Sequence, residues 1–191
     1  VSSSTKYLGG HSDIVGGSIV IKENKEYAEK ISYIQNAVGA IPSPFDCYLL
    51  TRSIKTLSVR MKQHNENAIA VSNFLTNHSK INKVFFPGID ERYKEVAAKQ
   101  MDGFGGMMSF ILDTNIDGVK SFLKNLNIFT LAESLGGVES LIEHPAIMTH
   151  ASIDPSIREK LGISDTLLRI SVGIEDVDDL IADLDQALSK I

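Results

Sequence analysis

The chain has 191 residues, 43% of them hydrophobic, 23% charged and 7% aromatic, the make-up of a globular protein able to bury a sizeable core, which excludes disordered, collagen-like and coiled-coil classes. With 19 Lys and Arg against 24 Asp and Glu the formal charge is -5, so the chain lacks the basic face that nucleic-acid phosphate requires. No apolar run reaches the ~18 to 20 residues of a membrane helix, and a single cysteine excludes an internal disulfide. A cytoplasmic protein with neither a membrane nor a nucleic-acid partner is therefore expected.

The chain opens on Val1-Ser2-Ser3-Ser4-Thr5-Lys6, without an initiating methionine and with a dense motif at once. A site at a natural terminus would be poorly held, so we expect the C-terminal part of a longer protein. Residues 18–22, centred on Ile19-Val20-Ile21, predict a buried strand, and residues 25–38 predict a helix. The stretch 40–44 breaks the pattern. Ser43 is a good N-cap, and Pro44 suits the first turn of the helix that follows. That helix carries Cys47, expected to pack, and its apolar stripe at Leu50, Ile54, Leu57, Met61, Ala68, Val71 and Leu75 extends it to about Asn77. Its length suggests that it spans two lobes. His64 interrupts the stripe and His78 ends it, so both read as structural.

Beyond this helix, residues 83–86 predict a strand stopped by Pro87-Gly88, 91–101 a helix, 105–112 a strand, 118–126 a helix and 167–172 a strand. The final helix has Val177, Leu180, Ile181, Leu184 and Leu188 on one face, and six acids between Glu175 and Asp185 gather at its positive end. Strands separated by helices make this lobe α/β or α+β. His144 and His150 bracket Pro145, but no third ligand stands at a recognisable spacing, and Gly103, Gly105 and Gly106 fit neither a dinucleotide nor a P-loop fingerprint.

The chemistry concentrates at the start. A lysine becomes functional when its neighbours alter its amine, and an aldehyde cofactor would trap it as a Schiff base. Two nearby hydroxyls, Ser3 and Thr5, suit a phosphate. Lys6 with these hydroxyls thus has the parts of a pyridoxal 5'-phosphate site, although spacing alone fits a solvated loop lysine as well.

The string Ser3-Ser4-Thr5-Lys6-Tyr7-Leu8-Gly9-Gly10-His11-Ser12-Asp13 resembles the cofactor-lysine signature of the Cys/Met-metabolism family of pyridoxal-phosphate enzymes. The blocks Gly39 to Tyr48, Ala132-Glu133-Ser134-Leu135-Gly136-Gly137, Pro145 to Ser152 and Leu161 to Gly173 resemble the same family in order, so the resemblance covers essentially the whole chain. It implies the aspartate-aminotransferase-like α/β fold (fold type I). Residues 1–57 would be the end of the large cofactor domain and 58–191 the small C-terminal domain.

By the same resemblance Lys6 is the catalytic and cofactor-binding lysine, and Ser3 and Thr5 hold the cofactor phosphate. Arg169 grips the substrate α-carboxylate, Ser134 helps hold that end, and Glu133 marks the γ-lyase and γ-synthase side of the family. The implied activity is cleavage of the γ-carbon–sulfur bond of cystathionine, an amino-acid substrate, to cysteine, 2-oxobutanoate and ammonia in trans-sulfuration. The family's γ-synthase, methionine γ-lyase and β-lyase reactions use the same machinery. A homotetramer is implied as well, and the acid and aromatic ring that serve the cofactor lie N-terminal to the lysine in the family. An inactive fragment or assembly module is the non-enzymatic alternative.

Overall fold

The computed structural model describes residues 1–191, which divide into two compact units, Val1–Leu57 and Ser58–Ile191. In the first, strand β1 (Ser2–Ser3) runs into a single π-type turn over Ser4–Leu8 and pairs antiparallel with β2 (Gly17–Ser18). Helix α1 (Lys25–Val38) begins where the Asn24 side chain accepts the Tyr27 N–H at 3.0 Å, and it ends at Gly39, whose φ of 74° is the left-handed stop that favours glycine. Helix α2 (Pro44–Ile54) starts on the expected cap. Ser43 Oγ accepts from the Asp46 N–H at 3.1 Å while the Asp46 carboxylate accepts from the Ser43 N–H, a reciprocal capping box with Pro44 in the first turn.

Three expectations are corrected in this part of the chain. Residues 19–22 form no strand: β2 stops at Ser18, and Val20 is 88% exposed. The β1–β2 pair is the sole ladder among residues 1–57, so the apolar run has no neighbouring strand to join. The long helix is two helices. After Ile54 the chain tightens, Lys55 and Thr56 bonding back to Arg52 and Ser53, and the Thr56 hydroxyl takes the Ser53 carbonyl at 3.1 Å in competition with the helical ladder. Helix α3 (Leu57–Asn77) then starts afresh. Cys47 is exposed rather than packed, because α2 turns other residues, Ser53 among them, inward.

In the second unit the remaining elements are β3 (Ile81–Phe85), α4 (Lys94–Gln100), β4 (Met107–Leu112), α5 (Ile116–Asn125), β5 (Thr130–Leu131), β6 (Leu141–Glu143), α6 (Pro155–Lys160), β7 (Leu167–Ser171) and α7 (Val177–Leu188). Their strands form one five-stranded sheet in the order β3-β4-β7-β6-β5, antiparallel except for β5 with β6. Strands β5 and β6 and helix α6 were not foreseen; two- and three-residue strands carry too little alternation to read.

Alternation along β4 and β7 sorts the sheet into two faces. Met108, Phe110 and Leu112 with Leu168 and Ile170 face the helical layer, where they form one core with Val71 and Leu75 of α3, Phe122 of α5, and Leu180, Leu184 and Leu188 of α7. Phe110 and Phe122 meet edge to face at 6.2 Å. The opposite face carries Ser109, Glu143, Arg169 and Ser171, interspersed with Met107, Ile111, Leu141 and Leu167. His64 is fully buried on α3, and its Nδ1–H donates to the Val172 carbonyl at 2.7 Å, anchoring the end of β7 to the helix.

Asp183 on α7 holds the start of the β5 segment. Its buried carboxylate accepts from the N–H groups of Asn127 and Ile128, each at 2.8 Å, and of Phe129 at 3.2 Å. Burial works to raise its pKa, yet these backbone donors prevail and hold the carboxyl below its usual value. A depressed native pKa stabilises the fold above the unfolded-state pKa and loses that effect as pH falls through the native value. Asp183→Asn is therefore expected to cost about 2 kcal/mol at neutral pH. Denaturant titrations should show the gap from the parent narrowing below about pH 4.

Candidate functional site

Lys6 sits in the middle of the π-type turn with φ −84° and ψ −132°, a break in the otherwise helical path. Backbone bonds hold the turn from both sides. Ser4 N–H donates to the Gly16 carbonyl at 2.9 Å, Gly9 N–H to the Ser4 carbonyl at 2.8 Å, and Gly10 N–H to the Lys6 carbonyl at 2.7 Å. Thr5 Oγ1 accepts the Gly16 N–H at 2.9 Å, locking the lysine turn to the Gly16 segment. His11 Nδ1 lies 2.7 Å from the Gly9 carbonyl; a carbonyl only accepts, so this nitrogen carries the proton, and Ser53 Oγ lies 3.3 Å from it.

The donor set suits a phosphate. Ser3 is exposed three positions before Lys6, and the Thr5 hydroxyl, already accepting from Gly16, has its own proton only in a long 3.3 Å contact with the Gly16 carbonyl, where about 2.8 Å is usual. That proton can turn to an anion. The glycines are needed: a Cβ on Gly16 would lie 2.7 Å from Ser4 Oγ, and one on Gly9 2.7 Å from the Ser4 carbonyl and 2.8 Å from the Ile14 side chain. Gly9→Ala should therefore displace the turn that presents Lys6. We expect cofactor occupancy, measured as bound chromophore per protein, to drop several-fold while the variant stays folded by circular dichroism.

The other candidates belong to the second unit. Arg169 is central in β7, on the sheet face away from the helical core, with its side chain 26% exposed. Its Nη2 donates to the Glu133 backbone carbonyl at 2.9 Å and pairs with Glu143. Glu133 and Arg169 are thus brought together through the peptide of Glu133; its carboxylate is exposed and makes no ion pair with the arginine. Ser134 follows, half-buried, and Gly136 N–H donates to Ser171 Oγ at 2.8 Å, so residues 133–136 are tied to β7 at two points.

Glu143 was missed. It is 1% exposed, lies directly across the β6–β7 ladder from Arg169, and accepts on its other oxygen from Thr149 Oγ1. Thr149 Oγ1 spends its proton on Glu143, so the 2.8 Å contact to His150 Nδ1 requires that nitrogen to donate. One signal was available. An acid following Leu141-Ile142 in an apolar stretch has to find a partner if it is buried. His144 is also buried, donating from Nε2 to the Asp165 carbonyl at 2.9 Å, and burial lowers its pKa.

Comparison with known proteins adds to this geometry. A family model described as Cys/Met metabolism PLP-dependent enzyme matches residues 1–189. Among curated proteins, the chain is 53% identical over 189 residues to a cystathionine gamma-lyase of Dictyostelium discoideum, covering 98% of this chain and 49% of the relative. It is 52% identical over 187 residues to a cystathionine beta-lyase of Coxiella burnetii, covering 97% and 48%. Among solved structures, the cystathionine gamma synthase from Xanthomonas oryzae pv. oryzae, in complex with aminoacrylate and cysteine, superimposes with a TM-score of 0.91 at 47% identity, covering 98% of this chain and 49% of that one. The chain spans about half the length of the curated relatives it matches.

Proposed function

The chain belongs to the Cys/Met-metabolism family of pyridoxal-phosphate-dependent enzymes, and from that premise we propose that it forms part of a lyase that cleaves the γ-carbon–sulfur bond of L-cystathionine to cysteine, 2-oxobutanoate and ammonia. The observation that carries this reading is the lysine turn, with Lys6 at its kinked centre, bonds to Gly16 on one side, and the hydroxyl residues Ser3 and Thr5 three and one positions before the lysine in the chain. When bound, pyridoxal 5'-phosphate supplies an electron sink for the substrate carbons.

The residues divide the remaining work. Ser3 and Thr5 bind the phosphate through their hydroxyl protons. Lys6 Nζ is the attachment point, and once released it takes the proton from the substrate Cα and returns protons where the reaction needs them. Arg169 holds the α-carboxylate with donors that cannot lose their charge, and Ser134 supports the same end. Glu133 is the residue that inclines the reading to the γ side of the family. Assembly into a homotetramer and a cytoplasmic location are part of the same proposal, and the exposed Tyr33, Val38, Phe45 and Tyr48 of the first unit suit association.

A second reading, favoured by the similarity to a β-lyase and a γ-synthase, has the same residues acting on the other side of the sulfur or in the synthetic direction. Product analysis separates them. The protein carrying this chain, incubated with L-cystathionine, is expected to release cysteine and 2-oxobutanoate; homocysteine and pyruvate would replace the γ reading with the β reading. Absence of both a visible cofactor band and any borohydride-fixed adduct on the Lys6 peptide would leave the inactive assembly module.

A further inference from the structure

We propose that Glu143 is a positioning residue for carboxylate recognition: buried beneath Arg169, it holds the guanidinium in the orientation that receives the substrate's α-carboxylate. The inference rests on the reading of Arg169 given above. Three observations carry it, the first being register: Glu143 stands opposite Arg169 on the same face of adjacent strands, so the backbone ladder itself sets the two side chains together. The second is burial, since Glu143 is 1% exposed and Arg169 26%, placing the acid below and the guanidinium toward solvent. The third is pairing, because Thr149 Oγ1 donates to the carboxylate oxygen Oε1 while Oε2, which has no other partner, is ion-paired with Arg169.

Arg169 makes its protein contacts through Nη2, to Glu143 and to the exposed Glu133 carbonyl. An arriving carboxylate can bind Nη1 and take over the Nη2 proton now given to Glu133, since that carbonyl can turn to water instead. It cannot displace Glu143 on the same terms, because a buried carboxylate stripped of its cation has no such alternative. Glu143 therefore stays in place through binding.

The experiment compares the parent with Glu143→Gln, Glu143→Asp and Thr149→Val in the protein that carries this chain, loaded with cofactor. Steady-state rates on L-cystathionine are measured together with inhibition by L-alanine and by L-alaninamide, which lacks the carboxylate. Glu143→Gln should raise KM and the L-alanine inhibition constant about tenfold, with kcat within threefold, the cofactor band intact and the L-alaninamide constant unmoved. Glu143→Asp should recover most of the loss, and Thr149→Val should show a smaller rise of the same kind. Unchanged or improved KM in Glu143→Gln, or equal weakening of acid and amide, would overturn the proposal. If Glu143→Gln does not fold, Thr149→Val decides, and an unmoved KM there overturns it. Failure of the underlying functional reading is seen separately, in a parent protein that neither carries the band nor cleaves cystathionine.

Discussion

Lys6→Ala is expected to abolish covalent cofactor attachment and to lower turnover by at least the ~10² to 10⁴-fold that a positioned acid–base group contributes. Two losses coincide in this substitution. The turn over Ser4–Leu8 keeps its backbone bonds to Gly16, because none of them uses the lysine side chain, so the phosphate donors Ser3 and Thr5 stay where they are. Cofactor should therefore still associate, through its phosphate, without being fixed by borohydride. What disappears is the attachment amine and the base that moves protons at the substrate Cα, and no other amine is built into this turn. The check is a pair of measurements on parent and variant: the mass of the Lys6-containing peptide after reduction, and product formation from L-cystathionine. A variant that kept near-parental rates would dismiss the assignment of Lys6, whatever its spectrum.

The second large effect is expected for Arg169→Ala, and it should appear in stability as well as in binding. Truncation removes the donor pair for the α-carboxylate, which should weaken substrate binding by about 2 to 5 kcal/mol. It also leaves Glu143 buried with its charge unmatched, for which about 3 to 5 kcal/mol of destabilisation is the usual scale. The double variant Arg169→Ala/Glu143→Gln separates the two contributions. Removing the orphaned charge should restore most of the unfolding free energy, measured by denaturant titration, while leaving the affinity as low as in the single variant. Equal stability of Arg169→Ala and the parent would mean that Glu143 is compensated by something other than the arginine.

The candidate site was legible in unequal parts. Ser3, Thr5 and Lys6 fall within four residues, and the glycines that close the turn around them, Gly9 and Gly16, lie within the next ten, so a short string carries the whole local arrangement. Arg169 stood out as a charge among Leu168 and Ile170, and its strand reads from alternation. Its partner did not. Glu143 is 26 residues away in the chain, on a strand of three residues, and nothing in periodicity says which two strands pair or in what register. The involvement of Glu133 through its carbonyl rather than its carboxylate is hidden for the same reason, because a backbone atom leaves no mark in composition.

By itself the sequence determined what depends on neighbours in the chain: the Ser43–Asp46 capping box and the Gly39 stop, closed by bonds spanning three or four residues, and the apolar stripe of α7, set by helical spacing. The tertiary structure decided what depends on distant partners. Ile19 to Ile21 have the composition of a buried strand but no ladder within residues 1–57, and the helix expected through Thr56 breaks where a threonine hydroxyl competes for a carbonyl. The Arg169–Glu143 pair exists because β6 and β7 align those two positions on the face away from the core. A buried charge needs a counter-charge wherever it lies, and only the register of the sheet selects which one.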